Sequence, residues 1–246
     1  MTVHNTTKDY AVITGASGEL GAKLAHRLLE KGWQVELWSR NRSERINELL
    51  SSYVSTAHWQ EVDVTDTATI KKALSSRSNG GRLRLLVNNA GLLHQGLFVT
   101  EPESTTDQMV NVNLLGLLHV TKACARVMIG KGGGNIINIS SINAIRGHRG
   151  VASYSAAKAG INGITTSLAR ELGPEQIRVN TIMPGYFASD LSANVTSRNL
   201  ERIKRRTPLG RLGTPEDIIG AFDFLTDPST SFVTAQTIVI DGGLTC

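Results

Sequence analysis

Two side chains that can move a proton lie four residues apart, Tyr154 and Lys158. The stretch that contains them has helical periodicity as far as about Leu172, so both are predicted to project from one helix face, one turn apart. An ammonium group this near a phenol favours the phenolate, and we therefore expect a lowered pKa for Tyr154. Such a tyrosine can donate a proton to a carbonyl oxygen or accept one from an alcohol. Because a tyrosine and a lysine at this spacing often occur by chance, the pair indicates an active site only if other functional residues lie near it.

Polar residues follow two predicted strands and occur again in a helical stretch between them. Ser141 follows the apolar segment Asn135–Ile139, and the Asn-Asn-Ala-Gly segment 88–91 closes the apolar segment Leu83–Val87. Asn113 lies in the helical stretch that comes next. Each has a local structural explanation, as a helix cap, a strand-end turn or a buried polar group. Their convergence with the tyrosine–lysine pair at one edge of a sheet is typical of an active site.

A glycine-rich turn connects the first predicted strand, Tyr10–Thr14, to an amphipathic helix, Glu19–Lys31. Glycines let the backbone turn sharply and approach a pyrophosphate, whose charge is bound by free N–H groups and the helix dipole. A tight strand-to-helix connection is the alternative explanation, but its place after the first strand of an alternating pattern favours a dinucleotide. The residues of the turn expected to contact the cofactor are Gly15, Ser17, Gly18, Glu19, Leu20 and Gly21.

The end of the second predicted strand bears on the choice between NAD and NADP. Sites of this kind place a carboxylate there for the ribose hydroxyls of NAD, or an arginine for the 2′-phosphate of NADP. Here Ser39 is followed by Arg40 and Arg42, whereas Glu36 lies inside the strand. We predict that Ser39 and Arg40 contact the cofactor and that NADP(H) is favoured, with NAD(H) as the alternative. Glu19 opposes this preference, since a negative charge in the turn does not help to bind another phosphate.

Short apolar runs alternate with helical stretches along the whole chain, a pattern that predicts a parallel sheet covered by helices. Right-handed crossovers then give an α/β, Rossmann-type doubly wound sheet of about seven strands with helices on both faces. Residues 1–246 are predicted to form a single domain, with polar excursions on the substrate side at Phe98–Gln108 and Phe187–Arg211. The predicted strands are Tyr10–Thr14, Gln34–Trp38, Ala57–Val62, Leu83–Val87, Asn135–Ile139, Ile177–Met183 and Thr237–Ile240.

Composition narrows the class of protein. The two cysteines, Cys124 and Cys246, and the six histidines form no disulfide or zinc-binding pattern, so we expect no metal and a reducing, cytoplasmic location. No apolar run reaches the roughly 18 residues that would span a membrane. The net charge of +5 fits a mildly basic surface, and no recognition-helix motif supports binding to nucleic acid.

These motifs resemble the short-chain dehydrogenase/reductase family in its compact, single-domain form, over residues 10–243. The resemblance implies that Tyr154 is the general acid/base, that Lys158 binds the nicotinamide ribose and that Ser141 hydrogen-bonds the substrate oxygen. Asn113 would hold a water of a proton relay to solvent. The other positions that match the cofactor-binding motifs of the family are Asn89, Ala90, Gly91, Asp63, Val64, Pro184, Gly185 and Ser189.

The glycine turn departs from the compact branch at one position. That branch usually has the pattern TGxxxGxG, whereas Glu19 stands here in place of its middle glycine. Gly15, Gly18 and Gly21 instead follow the TGxxGxxG spacing of the extended branch. The length of the chain and its C-terminal segments still match the compact branch. The departure therefore concerns the geometry of phosphate binding and the preference for NADP, and not the fold.

Residues 187–211 are expected to form a lid over the substrate. Its basic residues can attract an acidic carrier protein or a phosphopantetheine-bearing thioester, and a solvated helix is the alternative. Residues 208–218 are especially similar to 3-oxoacyl-[acyl-carrier-protein] reductases. The preferred hypothesis is NADPH-dependent reduction of a 3-oxoacyl or polyketide-like thioester on acyl carrier protein or CoA. The basic residues of the lid are Arg198, Arg202, Lys204, Arg205, Arg206 and Arg211.

Two other functions remain open at this point. One is an NAD(P)-dependent alcohol or hydroxysteroid-type dehydrogenase that oxidises a free small molecule. The other is a nucleotide-sensing protein without turnover, which the complete set of serine, tyrosine, lysine and asparagine disfavours. The resemblance also implies a homotetramer, built through the helices that carry Asn113 and Tyr154 and through the C-terminal strand.

Overall fold

The computed structural model of the chain describes residues 9–77, 81–187 and 196–246. Within these ranges seven strands form one sheet in which all neighbouring strands are parallel, and the predicted α/β, Rossmann-type architecture is confirmed. The strands are β1 (Tyr10–Thr14), β2 (Gln34–Ser39), β3 (Ala57–Glu61), β4 (Leu83–Asn88), β5 (Gly134–Ile139), β6 (Ile177–Pro184) and β7 (Thr237–Ile240).

The same ranges contain eight α-helices, and a π-helical turn, Asn111–Gly116, that joins the fourth helix to the fifth. The helix predicted at Glu19–Lys31 ends one residue earlier, at Glu30, and the helix that carries Tyr154 ends at Leu172 as predicted. The helices are α1 (Glu19–Glu30), α2 (Glu44–Ser52), α3 (Thr67–Ser75), α4 (Glu103–Val110), α5 (Leu117–Met128), α6 (Ala152–Leu172), α7 (Ser197–Arg206) and α8 (Pro215–Thr226).

The strand order is β3-β2-β1-β4-β5-β6-β7, so the winding of the sheet reverses between β1 and β4. In open α/β sheets the ligand crevice lies outside the carboxyl ends of the strands at this switch point. Strand β1 leads into the glycine turn, and β4 ends at Asn88. The loops that follow these two strands therefore flank the crevice.

Alternating side chains of each strand enter two separate hydrophobic cores, one on each face of the sheet. Ala11 and Ile13 of β1 pack with α1, α2 and α8. Tyr10 and Val12 pack with α3, α5 and α6. This period of two is the reason that fully buried strands of a doubly wound sheet read as continuous apolar runs.

The segment Phe98–Gln108 was predicted to be an excursion on the substrate side, and most of this prediction was wrong. Only Phe98–Thr100 forms a short, exposed 3-10 turn. The chain then enters α4 at Glu103, directly after Pro102, and Met109 of this helix is buried beside Tyr154. The helix is short and has one buried apolar residue, so its periodicity in the sequence is weak.

Candidate functional site

The glycine turn between β1 and α1 has a backbone that only glycine can follow at two positions. Gly15 has a φ of 65°, and a Cβ on it would lie 2.7 Å from the Cα of Ala90. A Cβ on Gly21 would lie 2.4 Å from the carbonyl oxygen of Gly15. Asn89 holds the turn in place, since its Nδ2 donates to the carbonyl oxygens of Thr14 and Gly15 at 3.1 Å each. The fold itself therefore requires the first and third glycines.

Gly18, the N-cap residue of α1, is not required by the packing of the fold. A Cβ on it would meet no atom closer than the Gly15 carbonyl oxygen, at 3.6 Å. The helix has no side-chain cap, whereas Ser43 and Asp66 cap α2 and α3. Free N–H groups at a helix N-terminus, beside a residue without a side chain, form a site for a phosphate group. The residues of this turn thus fit the pyrophosphate of a dinucleotide.

A cavity of about 970 Å³ extends from the glycine turn to the segments that follow β5 and β6. This volume lies in the range of small-molecule and cofactor sites. The predicted residues Ser39, Arg40, Asp63, Val64 and Ala90 do not line it. The predicted site residues that do line it are Gly15, Ser17, Gly18, Glu19, Leu20, Gly21, Asn89, Gly91, Asn113, Ser141, Tyr154, Lys158, Pro184 and Gly185.

Ser141, Tyr154 and Lys158 come together at the wall of this cavity. Helix α6 begins two residues before Tyr154, so its first turns carry both the phenol and the ammonium. The buried Tyr154 ring packs with Met109 and Val151, and its hydroxyl is hydrogen-bonded to Ser141. Lys158 Nζ lies 5.8 Å from the centre of the tyrosine ring. The structure therefore brings the proton-transfer residues predicted from the sequence into one site.

Burial controls the protonation of this pair. It raises the pKa of Tyr154, and the Ser141 hydrogen bond offsets only part of the rise. Burial also lowers the pKa of Lys158 to about 8. The expectation of a lowered pKa for Tyr154 was therefore wrong, because the cost of desolvating the phenolate is the largest effect on this group. Tyr154 is thus a proton donor at neutral pH, which suits reduction of a carbonyl.

Lys158 is held at both ends by β5 and the residue after it. Its Nζ donates to the carbonyl oxygen of Ile139 at 2.9 Å, and its own carbonyl oxygen accepts a hydrogen bond from the Ser140 hydroxyl at 3.0 Å. Ser140 is buried and was not predicted as a site residue. Its position beside Ser141 is the only signal in the sequence. The hydrogen bond from the Ser140 hydroxyl fixes the start of α6 against the sheet.

Asn113 fastens the loop after β4 to the π-helical turn. Its Nδ2 donates to the carbonyl oxygens of Leu92 and Met109 at 2.9 and 3.0 Å, and its Oδ1 accepts from Leu92 N at 3.1 Å. A Cβ on Gly91 would lie 2.8 Å from Asn113 Oδ1 and 3.4 Å from Lys158 Nζ. Gly91 therefore keeps the asparagine and the lysine close together at the floor of the site.

Comparison with known proteins identifies the family. A family model described as enoyl-(acyl carrier protein) reductase matches residues 15–245. The 3-oxoacyl-[acyl-carrier-protein] reductase FabG of Thermotoga maritima is 39% identical over 237 residues, which are 95% of this chain and 96% of that protein. The chain belongs to the short-chain dehydrogenase/reductase family. It is therefore an oxidoreductase that acts on CH–OH or C=O groups.

Other similar members of the short-chain dehydrogenase/reductase family carry different substrate names. A 3alpha-hydroxysteroid dehydrogenase of Mediterraneibacter gnavus is 32% identical, over 94% of this chain and 95% of that protein. The crystal structure of a gluconate 5-dehydrogenase from Burkholderia cenocepacia, in complex with NADP and tartrate, superposes with a TM-score of 0.90. It is 31% identical and covers 96% of this chain and 95% of its own. Membership of the family therefore gives the reaction class and not the substrate.

At the end of β2, this family member presents an exposed arginine and a serine that is already engaged. Ser39 Oγ accepts from Trp59 Nε1 at 2.9 Å and donates to a neighbouring carbonyl oxygen, so its hydroxyl is not free. Arg40 is exposed. Burial alone would raise the pKa of Asp63, but hydrogen bonds from Thr65 and the charge of Arg40 bring it below its ordinary value.

Glu36, the other acidic residue near this end, points away from a ribose site. It is buried, forms an ion pair with Arg77 and accepts a hydrogen bond from Gln60 Nε2 at 2.9 Å. Asp63 likewise accepts from the backbone N–H and hydroxyl of Thr65 at 2.8 and 2.7 Å. Both carboxylates are therefore engaged within the protein, and the arginine is the charged group that remains available at this end.

The segment after β6 forms the opposite wall of the cavity. Gly185 N donates to Ile240 O at 2.7 Å, and a Cβ on Gly185 would lie 2.6 Å from the Cα of Asp241, so this close approach requires glycine. Tyr186 also lines the cavity, and its buried hydroxyl has no hydrogen-bond partner among the described residues. Ser189 lies outside the described residues, as do the other residues from 188 to 195 of the predicted lid.

Several residues of the substrate side were not predicted as site residues. They come from the segments after Ser141 and after β6 and from α7, where irregular loops and surface helices leave little periodic signal. In the part of the chain described by the structure, no three His, Cys, Asp or Glu side chains form a metal-binding group, and no helix has the length and apolarity to cross a membrane. The additional lining residues that the argument below uses are Arg146, His148, Arg149, Tyr186 and Asn199.

Proposed function

We propose that this enzyme uses NADPH to reduce the carbonyl of a 3-oxoacyl or polyketide-like thioester to an alcohol. The observation that carries the proposal is a protonated, buried Tyr154, hydrogen-bonded to Ser141 and one helical turn from Lys158, in a cavity that begins at a phosphate-binding turn. NADPH, when bound, supplies a hydride to the carbonyl carbon. The protein must then supply a proton to the carbonyl oxygen.

The residues of the site divide this task among them. Tyr154 donates its phenolic proton to the oxygen as negative charge develops on it. Ser141, already within hydrogen-bonding reach of the phenol, donates to the same oxygen and stabilises that charge. Lys158 holds the nicotinamide ribose and offsets the charge of the phenolate that remains. Asn113 and Lys158, which lie on either side of Gly91, connect the phenol to solvent through a bound water.

NADP(H) is the proposed cofactor, and NAD(H) the alternative. Support comes from Arg40, which is exposed at the end of β2, and from the burial of Glu36 in an ion pair. An arginine there can form charge-assisted hydrogen bonds with a 2′-phosphate. Glu19 also lines the cavity. It lies in the first turn of α1, where the positive end of the helix dipole stabilises its carboxylate. We assign Ser17, Leu20, Asn89, Ala90, Asp63, Val64, Pro184 and Gly185 to the remaining cofactor contacts.

Carrier-bound thioesters are the favoured substrates because the similarity to 3-oxoacyl-[acyl-carrier-protein] reductases spans 95% of the chain. A dehydrogenase for a free small molecule is the second candidate, favoured by the hydroxysteroid and gluconate dehydrogenases of similar sequence or structure. We also propose one domain, in which residues 196–211 lie over the substrate, and a homotetramer. Exposed Phe224 and Val239, on α8 and the edge strand β7, support assembly through that edge. The cytoplasmic location stays a prediction.

Steady-state assay of the purified protein on acetoacetyl-CoA with NADPH tests the proposal, with NADH as the cofactor control. We expect turnover with both cofactors at a higher kcat/KM for NADPH. The proposal fails if the thioester is not reduced while a free alcohol is oxidised with NAD. Binding of NADPH without turnover of any carbonyl substrate would instead indicate a nucleotide sensor.

The pKa of Lys158 predicts how kcat/KM for NADPH depends on pH. A lysine with a pKa of about 8 carries its charge below that pH and loses it above, whereas Tyr154, with a raised pKa, stays protonated throughout this range. We therefore expect a level profile below about pH 8 and a tenfold fall per pH unit above it, since kcat/KM reports the free enzyme. A profile that stays level well above this pH would contradict the assignment.

Replacing Gly18 with alanine separates cofactor binding from folding. A Cβ at this position has room in the fold, so Gly18→Ala should lower the free energy of unfolding by less than about 1 kcal/mol. The methyl group covers the free N–H groups of α1, and we expect a rise of about 10-fold in KM for NADPH, the scale of one charge-assisted hydrogen bond. Gly21→Ala is the matched variant, and its backbone clash should lower stability by about 1 to 3 kcal/mol. If Gly18→Ala and Gly21→Ala lowered the free energy of unfolding equally, the separate roles of Gly18 in cofactor binding and Gly21 in folding would be contradicted.

A further inference from the structure

One face of α7 turns basic side chains into the active-site cavity. Asn199, Arg202, Ile203 and Arg206 line the cavity, and their spacing of three, four and seven residues places them on a single face of the helix. The sequence shows a uniformly basic segment here. The phase of the helix divides it into residues that face the substrate and residues that do not.

The other charged residues of this segment lie away from the cavity or are paired. Lys204 Nζ contacts Glu201 at 2.6 Å, and Arg211 contacts Asp217 at 2.6 Å. Arg205 is exposed and does not line the cavity. Arg202 and Arg206 have no carboxylate partner among the described residues. The face of α7 that lines the cavity therefore carries two guanidinium groups that are not paired with a carboxylate of the described residues.

A second set of basic residues lines the cavity from the segment that follows Ser141. Arg146, His148 and Arg149 line the same cavity. Arg146 donates to the carbonyl oxygen of Leu244 and, like Arg202 and Arg206, forms no ion pair with a carboxylate of the described residues. Arg146 and Arg206 also share the lining of an adjoining cavity of about 460 Å³. Both walls of the substrate side therefore carry guanidinium groups.

Acidic residues do not balance this charge. Among the described residues that line the active-site cavity, Glu19 is the one carboxylate, and it lies at the glycine turn where the pyrophosphate is proposed to bind. The buried hydroxyl of Tyr186, which also lines the cavity, has no hydrogen-bond partner among the described residues. Among the described residues, the substrate side of the cavity therefore carries positive charge that no lining carboxylate offsets.

We infer that Arg202 and Arg206, together with Arg146, bind an oxoanion that the substrate itself carries, a phosphate or a carboxylate. Guanidinium groups form paired hydrogen bonds with both. The inference rests on the proposed function, because the reacting carbonyl is placed at Tyr154. It adds that the substrate itself carries the negative charge inside the cavity. The face of α7 that lines the cavity binds this charge, and not an outer surface that a carrier protein would contact.

Two pairs of substrates that differ only in charge test the inference. Acetoacetyl-phosphopantetheine and acetoacetyl-pantetheine differ by a phosphate, and levulinate and methyl levulinate differ by a carboxylate. The variants are Arg202→Ala and Arg206→Ala, with Arg205→Ala as the matched control on the outer face of the same helix. The measurements are kcat and KM with NADPH, and calorimetric binding of the two anionic compounds to the NADP⁺ complex.

We expect the protein to prefer the charged member of one pair, and each inner variant to reduce that preference about 10-fold through KM, the scale of a charge-assisted hydrogen bond. Activity on the neutral member, and the activity of the Arg205→Ala variant, should change less than about twofold, because Arg205 does not line the cavity and a surface charge contributes little. Preference within the thioester pair identifies a phosphate, and preference within the levulinate pair identifies a carboxylate.

The inference is overturned if neither pair shows a preference, or if the inner variants lower activity on charged and neutral members equally. Failure of the proposed function is distinguishable from this outcome. Reduction of levulinate alone, lost in Arg202→Ala, rejects thioester reduction and supports the anion site. If both thioesters are reduced equally, and the variants leave this activity unchanged, thioester reduction is supported and the anion site is rejected. In the absence of all turnover, binding of the anions that is equal in wild type and variants also overturns the inference.

Discussion

Replacing Tyr154 with phenylalanine is expected to lower kcat for carbonyl reduction by about 10²- to 10⁴-fold, the range of a positioned general acid. The ring would keep its packing with Met109 and Val151, so cofactor binding and stability should change little. Only the phenolic proton and its hydrogen bond to Ser141 are lost. Single-turnover reduction of acetoacetyl-CoA by bound NADPH measures this step without product release.

The control for this variant is the Kd for NADPH, measured by cofactor fluorescence. An unchanged Kd with a large loss of kcat supports proton donation by Tyr154. A loss of less than about 10-fold, with NADPH still bound, would show that another group or water delivers the proton, since such a loss falls below that range.

Replacing Lys158 with methionine is expected to lower kcat/KM by about 10²- to 10³-fold, the scale of a single group that stabilises charge in a transition state. Methionine fills similar space but supplies no ammonium for the ribose and no charge beside the phenolate. The variant should fold, because removing a buried ammonium relieves its desolvation and offsets the lost hydrogen bond to Ile139. Thermal unfolding measures the second expectation independently of activity.

The same variant has a signature in its pH profile. If the fall in kcat/KM above about pH 8 comes from Lys158, it should be absent in Lys158→Met. A variant that keeps this fall while losing activity would place the titrating group elsewhere. Ser140→Ala, which removes only the hydroxyl that anchors the lysine carbonyl, should retain the fall and provides the comparison.

Much of the fold could be predicted from the sequence because each strand is a short apolar run between helical stretches. Strands β1 and β7 begin and end where predicted, and the other strands differ by a residue at one end. The helix α4 was missed because it is short and buries one residue along its length, Met109. Local periodicity is informative only where a long face is buried.

The membership of the site was easier to predict than its electrostatics. Gly15 and Gly21 are fixed by backbone contacts that the motif implies. The pKa of Tyr154 depends on how deeply α6 and the loop after β4 enclose the phenol, which spacing alone does not show. The same applies to α7, since the division of its arginines between cavity and solvent follows from the angle at which the helix lies on the site.

The proposed function requires that a hydride from NADPH and the proton of Tyr154 be added across a carbonyl at this site. NADPH deuterated at both transferable positions of the nicotinamide, incubated with acetoacetyl-CoA and the enzyme, tests it by mass spectrometry of the product. We expect one deuterium on the alcohol carbon with wild-type protein, and no detectable product with Tyr154→Phe in the same time. Bound NADPH that transfers no deuterium to the thioester, levulinate or a steroid ketone would contradict the claim.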